Sequence, residues 1–137
     1  MSEQSQNKQI NQFILSFFSC FDNRSSKAPN FDELKDMFLP TAIVYKRAGL
    51  SIEEMSVEQF IAPRKELLTN GSLVNFHEWE IEQQTFIQGG IASRILRYAK
   101  EGLFNGKPYE GEGNKHLQLV LSQGGWKISS ILWEDDE

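Results

Sequence analysis

The sequence is poor in the residues that staple, ligate or anchor a chain. Cys20 is the single cysteine among 137 residues, so no intramolecular disulfide can form and a reducing, cytoplasmic setting is expected. His77 and His116 are the only histidines. With no two-histidine-plus-carboxylate cluster, no cysteine pair and no acidic loop of calcium type, neither a metal centre nor a cofactor is expected. No apolar run approaches the roughly 18 residues of a membrane span, and no basic segment precedes an apolar one at the N-terminus. Without secretion the Asn23-Arg24-Ser25 and Asn70-Gly71-Ser72 triplets carry no consequence. Basic residues are the minority, 14 against 19 acidic for a net charge of −5, and the chain ends Glu134-Asp135-Asp136-Glu137. Phosphate backbones and anionic lipids would be repelled, so no nucleic-acid or membrane partner is expected.

What is present is a succession of apolar runs cut by glycine. Phe86 onward reads as a strand, a Gly89-Gly90 turn, a strand over 91–104, an Asn105-Gly106 turn, a strand over 115–122, a Gly124-Gly125 turn and a strand over 126–133. Glycine and asparagine accept the positive φ of hairpin turns, so this is an antiparallel meander. The Gly111-Glu112-Gly113-Asn114-Lys115 segment is expected as a flexible connection within it, not a phosphate cradle, because no helix follows.

The N-terminal half supplies a cover for that sheet. Residues 1–8 are polar and expected to fray. Ile10, Phe13, Ile14, Phe17, Phe18 and Phe21 recur three or four apart and form one stripe of a helix. A helix docked on its own sheet fits this stripe better than a partner-binding helix, and Cys20 at its edge reads as a buried, inert thiol. Asn30 caps a short helix that Pro40 stops; residues 41–47 read as a strand. Ser51/Glu54 and Ser56/Gln59 are both spaced as capping boxes for a third helix, with Pro63 inside it and Asn70-Gly71 closing it. Residues 73–87 change parity midway, which implies a bulge and a bent strand. One α+β domain over residues 1–137, ordered from about 8 to 134, is the expected organisation, with three N-terminal helices packed on a strongly curved antiparallel sheet. On the last strand Trp126, Ile128, Ser130 and Leu132 alternate with Lys127, Ser129, Ile131 and Trp133. If the first set faces the helices, Ile131 and Trp133 project outward as an interface.

This order of elements, with Phe38-Leu39-Pro40-Thr41-Ala42 leading into the first strand and Gly124-Gly125-Trp126-Lys127-Ile128 opening the last, resembles the nuclear transport factor 2-like superfamily, and its stand-alone polyketide-cyclase-like and ketosteroid-isomerase-like members in particular. The resemblance implies a cystatin-like cone with a pocket at its wide end and a homodimer through the outer sheet face. In the isomerase members a tyrosine on the first helix, an acidic base at the end of the first strand and a protonated acid on the penultimate strand do the chemistry. Those positions fall here on Phe17, Lys46 and Leu117. None can take its role, so steroid-isomerase chemistry is disfavoured. A small apolar molecule bound without catalysis is the first functional expectation. Its expected lining is Phe17, Lys46, His77, Trp79, Tyr98, Leu117, Ser130 and Glu134, with Lys46 and Glu134 meeting at the pocket mouth or as a surface pair.

Two other functional classes stay open. A hydratase, isomerase or cyclase would use His77 as base, placed inward by its parity with Trp79 and Ile81, and Tyr45 or Tyr98 as donor to a carbonyl. His116 alternates against Leu117, Leu119 and Leu121 and should point outward. A purely structural association domain would need neither. Of Arg94 and Arg97, on opposite faces of one strand, one must point inward or stack at an interface, and parity alone does not say which.

Overall fold

A computed structural model of the protein describes residues 2–137. The helices are α1 (Glu3–Ser19), α2 (Phe31–Asp36) and α3 (Val57–Thr69). The strands are β1 (Phe38–Ala48), β2 (Ser51–Ser56), β3 (Leu73–Gln88), β4 (Ile91–Phe104), β5 (Lys107–Ser122) and β6 (Gly125–Asp135). They form one curved, open sheet in the order β2-β1-β6-β5-β4-β3, antiparallel except where β1 runs parallel to β6. The α+β architecture is the expected one.

The phenylalanine stripe of α1 is buried at Ile10, Ile14, Phe17 and Phe18, and Phe21 continues it beyond the helix. Burying each such ring stabilises the fold by roughly 2–3 kcal/mol. The helix begins earlier than its polar start suggests, because the Ser2 hydroxyl accepts from the Ser5 N–H at 3.0 Å and caps it. Residues 3–8, expected to fray, are helical, and Gln6 is pinned by a bond to the Gly89 carbonyl at 2.9 Å. Cys20 is buried, and burial pushes its thiol up to about 12, so it is inert.

Of the two candidate capping boxes only Ser56/Gln59 is used, with both reciprocal bonds present. Residues 51–56, around the other, are an edge strand instead. Gly49, at φ +62, closes a β1–β2 hairpin in which Tyr45 pairs with Glu54 and Lys46 with Glu53. A Ser-x-x-Glu spacing cannot by itself distinguish a helix start from a strand. Below α3, Asn23 locks the junction with β3. Its amide donates to the Leu68 and Leu73 carbonyls at 3.0 and 2.8 Å, and its oxygen accepts from the Phe76 N–H at 2.7 Å.

Two register shifts break β3, between Val74 and His77 and between Glu80 and Glu82, so the expected bulge is present twice. Another shift sets the face of β6: Gln118 pairs with Ser130 but Leu119 with Ile128, leaving Ser129 as the extra residue. Trp126 and Ile128 point inward before it, and Ile131 and Trp133 point inward after it. The expected outward pair Ile131 and Trp133 is thus buried, and Leu132 takes the outer face. One inserted residue reverses every later side chain. The Gly111–Lys115 segment, expected as a loop, is part of β5, and the hairpin turn is confined to Asn105-Gly106.

Candidate functional site

A cavity of about 250 Å³ lies between α3 and the inner face of the sheet. Its apolar wall comes from Phe21, Phe60 and Leu67 on the helical side and from Phe76, Tyr109 and Trp133 on the sheet side. Set into this wall are four cations, Lys46, Arg64, Lys100 and Lys115, and two carboxylates, Glu78 and Asp135.

Strand register explains how these charges meet. Lys46 on β1 and Lys115 on β5 both pair with Trp133 on β6, so the three residues form one row across the inner face. The Lys46 and Lys115 ammonium groups lie 5.0 and 4.6 Å from the Trp133 ring centroid, and the Arg64 guanidinium lies 4.8 Å from it. Arg64 reaches this position by folding back along α3, where it donates to the Phe60 carbonyl at 2.7 Å and covers the Phe60 ring. Trp133 thus has three cations around one indole, each attracted by the ring quadrupole and repelled by its neighbours.

The next row holds Tyr98 and Asp135, which flank Gly113. A Cβ on Gly113 would come within 2.6 Å of the Glu134 carbonyl and 2.8 Å of the Tyr98 hydroxyl. Glycine here lets the Tyr98 ring cross β5 and its hydroxyl donate to Asp135. Asp135 also accepts from the Trp133 indole at 3.2 Å and from Lys100 at 3.3 Å, and sits 3.7 Å from Lys46. Burial pushes its carboxyl above the usual carboxylate range, against the pull of Lys46 and Arg64.

Lys115 differs from the other three cations. It is 5% exposed and makes no hydrogen bond or ion pair among the described residues; its ammonium faces the Tyr98 ring at 4.3 Å as well as Trp133. Burial, then the charges of Arg64, Lys100 and Lys46, push it down to about 8, with Glu78 opposing.

The residues expected to line the site divide sharply. Lys46 and Tyr98 do so. Lys46 pairs with Asp135 rather than Glu134, which lies on the other face of β6 and pairs with Arg47. Phe17 and Leu117 are fully buried in the core away from the cavity, and Ser130 sits at the β6 bulge. His77 and Trp79 are on the outer face, stacked on each other at 4.5 Å, with His77 bonded to Glu101 at 3.1 Å. The inner residues of that segment are Phe76 and Glu78. The apolar Trp79 and Ile81 pointed to the wrong face because the inner side of β3 serves a charged cavity and a buried arginine, which inverts the hydropathy signal. Tyr45 is bonded to Glu54 at the sheet edge. His77 therefore cannot act with either tyrosine on a ligand in this cavity. His116 is exposed, as its alternation implied.

Arg94 is the inward arginine and Arg97 the outward one, paired with Glu112 and Asp136. The sequence reading missed Arg64, Lys100, Lys115, Glu78 and Asp135. A usable signal existed for Lys115, which shares strand parity with Leu117 and Leu119 and so had to lie on the apolar face.

No protein-family model matches the sequence, and no curated protein does. The fold has solved counterparts. The Kfla4162 protein of Kribbella flavida superposes with a TM-score of 0.79 at 12% identity, over 99% of this chain and 94% of that one. A nuclear transport factor 2-like superfamily protein of Salmonella enterica gives 0.77 at 10% identity, over 99% and 94%. A candidate scytalone dehydratase of Novosphingobium aromaticivorans gives 0.76 at 11% identity, over 98% and 89%. The chain thus has the nuclear transport factor 2-like, cystatin-like fold. At such identities the likeness speaks for the fold alone, which hosts many functions.

Proposed function

We propose that this protein binds a small organic anion, an acid with an apolar or aromatic body, in the cavity between α3 and the sheet. The observation that carries this reading is the charge imbalance of the lining, four cations against two carboxylates inside an aromatic wall. Buried charge without a partner is costly, and an anionic ligand removes the imbalance while its body covers the rings. The purely apolar ligand expected from the sequence would leave those ammonium groups desolvated. At roughly 30 Å³ per water-sized group, the cavity takes about eight non-hydrogen atoms, with the open mouth extending the reach of a longer molecule.

Titration calorimetry against benzoate and phenylacetate, each matched with its neutral amide, tests the reading. The acids should bind and the amides should not, and Arg64→Met should weaken the acids at least tenfold. Equal binding of acid and amide would overturn the anionic assignment in favour of an apolar ligand.

A further inference from the structure

We infer that Lys115 is a reactive amine whose partner is the carbonyl carbon of a small 2-oxo acid, captured as an imine. This rests on the anion-binding reading of the cavity and goes beyond it, since anion binding alone needs no nucleophile.

The division of labour among the four cations is the starting point. Lys46 and Lys100 share Asp135, and Arg64 is held by the Phe60 carbonyl and two aromatic faces. These three suit a carboxylate. Lys115 alone among them has no hydrogen-bonding or ionic partner, and it stands between the rings of Tyr98 and Trp133 facing the cavity. A buried ammonium beside three other positive charges is the setting in which a lysine gives up its proton and becomes nucleophilic. Its depression to about 8 agrees with that placement, leaving roughly a tenth of the amine neutral at pH 7.

The rest of the site matches the other end of such a substrate. Arg64 lies 4.8 Å from the Trp133 ring that Lys115 also faces at 4.6 Å, and both line the same cavity, so a carboxylate bound by Arg64 brings its 2-oxo group into the space the amine faces. Tyr98 lies under the Lys115 ammonium with its hydroxyl on Asp135, an acid-base pair for moving protons at that point. The amine lone pair forms the C–N bond as the C=O π bond opens, and one proton passes from nitrogen to oxygen, giving a neutral carbinolamine. A proton from the Tyr98–Asp135 pair then lets the hydroxyl leave as water while the nitrogen lone pair forms C=N, and the remaining N–H proton returns to that pair. One water is released and nothing is oxidised or reduced.

Reductive trapping tests this directly. Wild-type protein is incubated with pyruvate and sodium cyanoborohydride, then analysed by intact mass and peptide mapping. The expected result is one carboxyethyl group per chain, on Lys115, at a rate that climbs with pH and levels above about 8. Lys115→Arg, which keeps the charge, should lose the label, with its fold confirmed by circular dichroism. Lys65→Arg, at an exposed α3 position, should be labelled like wild type. Label spread evenly over surface lysines, or a single label surviving Lys115→Arg, overturns the assignment. Calorimetry with lactate, which has the acid but no carbonyl, separates the two readings. Lactate binding without pyruvate trapping leaves the anion cavity standing and removes the imine; absence of both removes the imine, and the benzoate–amide comparison decides the cavity by itself.

Discussion

Arg94 and Lys115 make an instructive pair. Both are cations on inner faces of adjacent strands, 2% and 5% exposed. Arg94 has four of its five N–H donors matched: Glu80 accepts from it twice, at 3.0 and 2.7 Å, and Asn11 and Thr85 accept at 2.6 and 2.9 Å. That cluster joins α1, β3 and β4 through one guanidinium. Lys115 has ring faces against its ammonium and no matched donor. A buried charge held by a carboxylate and two further acceptors is architecture, whereas one left facing a cavity is a place for something else.

The largest effect should follow from breaking the satisfied cation. Arg94→Met strands Glu80 in a half-buried site, and urea denaturation should show a loss of about 3–5 kcal/mol. The opposite sign is expected for Lys115→Met, which removes an unmatched charge and should stabilise the protein by up to roughly 3 kcal/mol at pH 7. The same contrast appears in pH. Below about 8 the ammonium is charged in both folded and unfolded chains, and the folded state bears the whole cost of burying it. Between about 8 and the ordinary lysine value of 10.5 the unfolded chain holds the proton and the folded one does not, so stability rises with pH. Denaturation midpoints of wild type minus Lys115→Met should show this rise; a flat difference would place the two cations in the same class.

Gly113→Ala should cost roughly 1–3 kcal/mol, because the new methyl meets the Glu134 carbonyl and the Tyr98 ring. Relief of that loss in the double variant with Tyr98→Ala would show that the glycine exists for the tyrosine. The smallest effect belongs to His77→Ala on the outer face, expected below about 1 kcal/mol in stability and without consequence for binding of benzoate. A tenfold loss of affinity there would return the histidine to the site.

Local patterns carried the sequence reading where the cause of a structure is itself local. The α1 stripe, the Ser56/Gln59 cap and the glycine-bearing turns of the meander all appear where their residues imply. Residues 51–56 were legible only as a capping signal, since their strand state comes from hydrogen bonds to β1. The inner faces of β3 and β6 were misassigned for a related reason. Bulges near Asn75, Ile81 and Ser129 shift parity by one residue; the parity change within residues 73–87 implied one bulge in β3 without its place, and nothing marks the one at Ser129. Of the cavity itself, Lys46 and Tyr98 were in view.

Turn chemistry and the 3.6- and 2-residue periodicities need only neighbours in the chain, so the sequence alone determined an α+β order of elements ending in an antiparallel meander. The meeting of Lys46, Arg64, Lys100, Lys115 and Asp135 belongs to the tertiary structure, because each comes from a different strand or helix. Their convergence depends on register, and register is decided by bulges and by which face is buried. A lysine at position 115 is an unremarkable residue in the chain; three strands and a helix make it an amine that faces a cavity among rings and like charges.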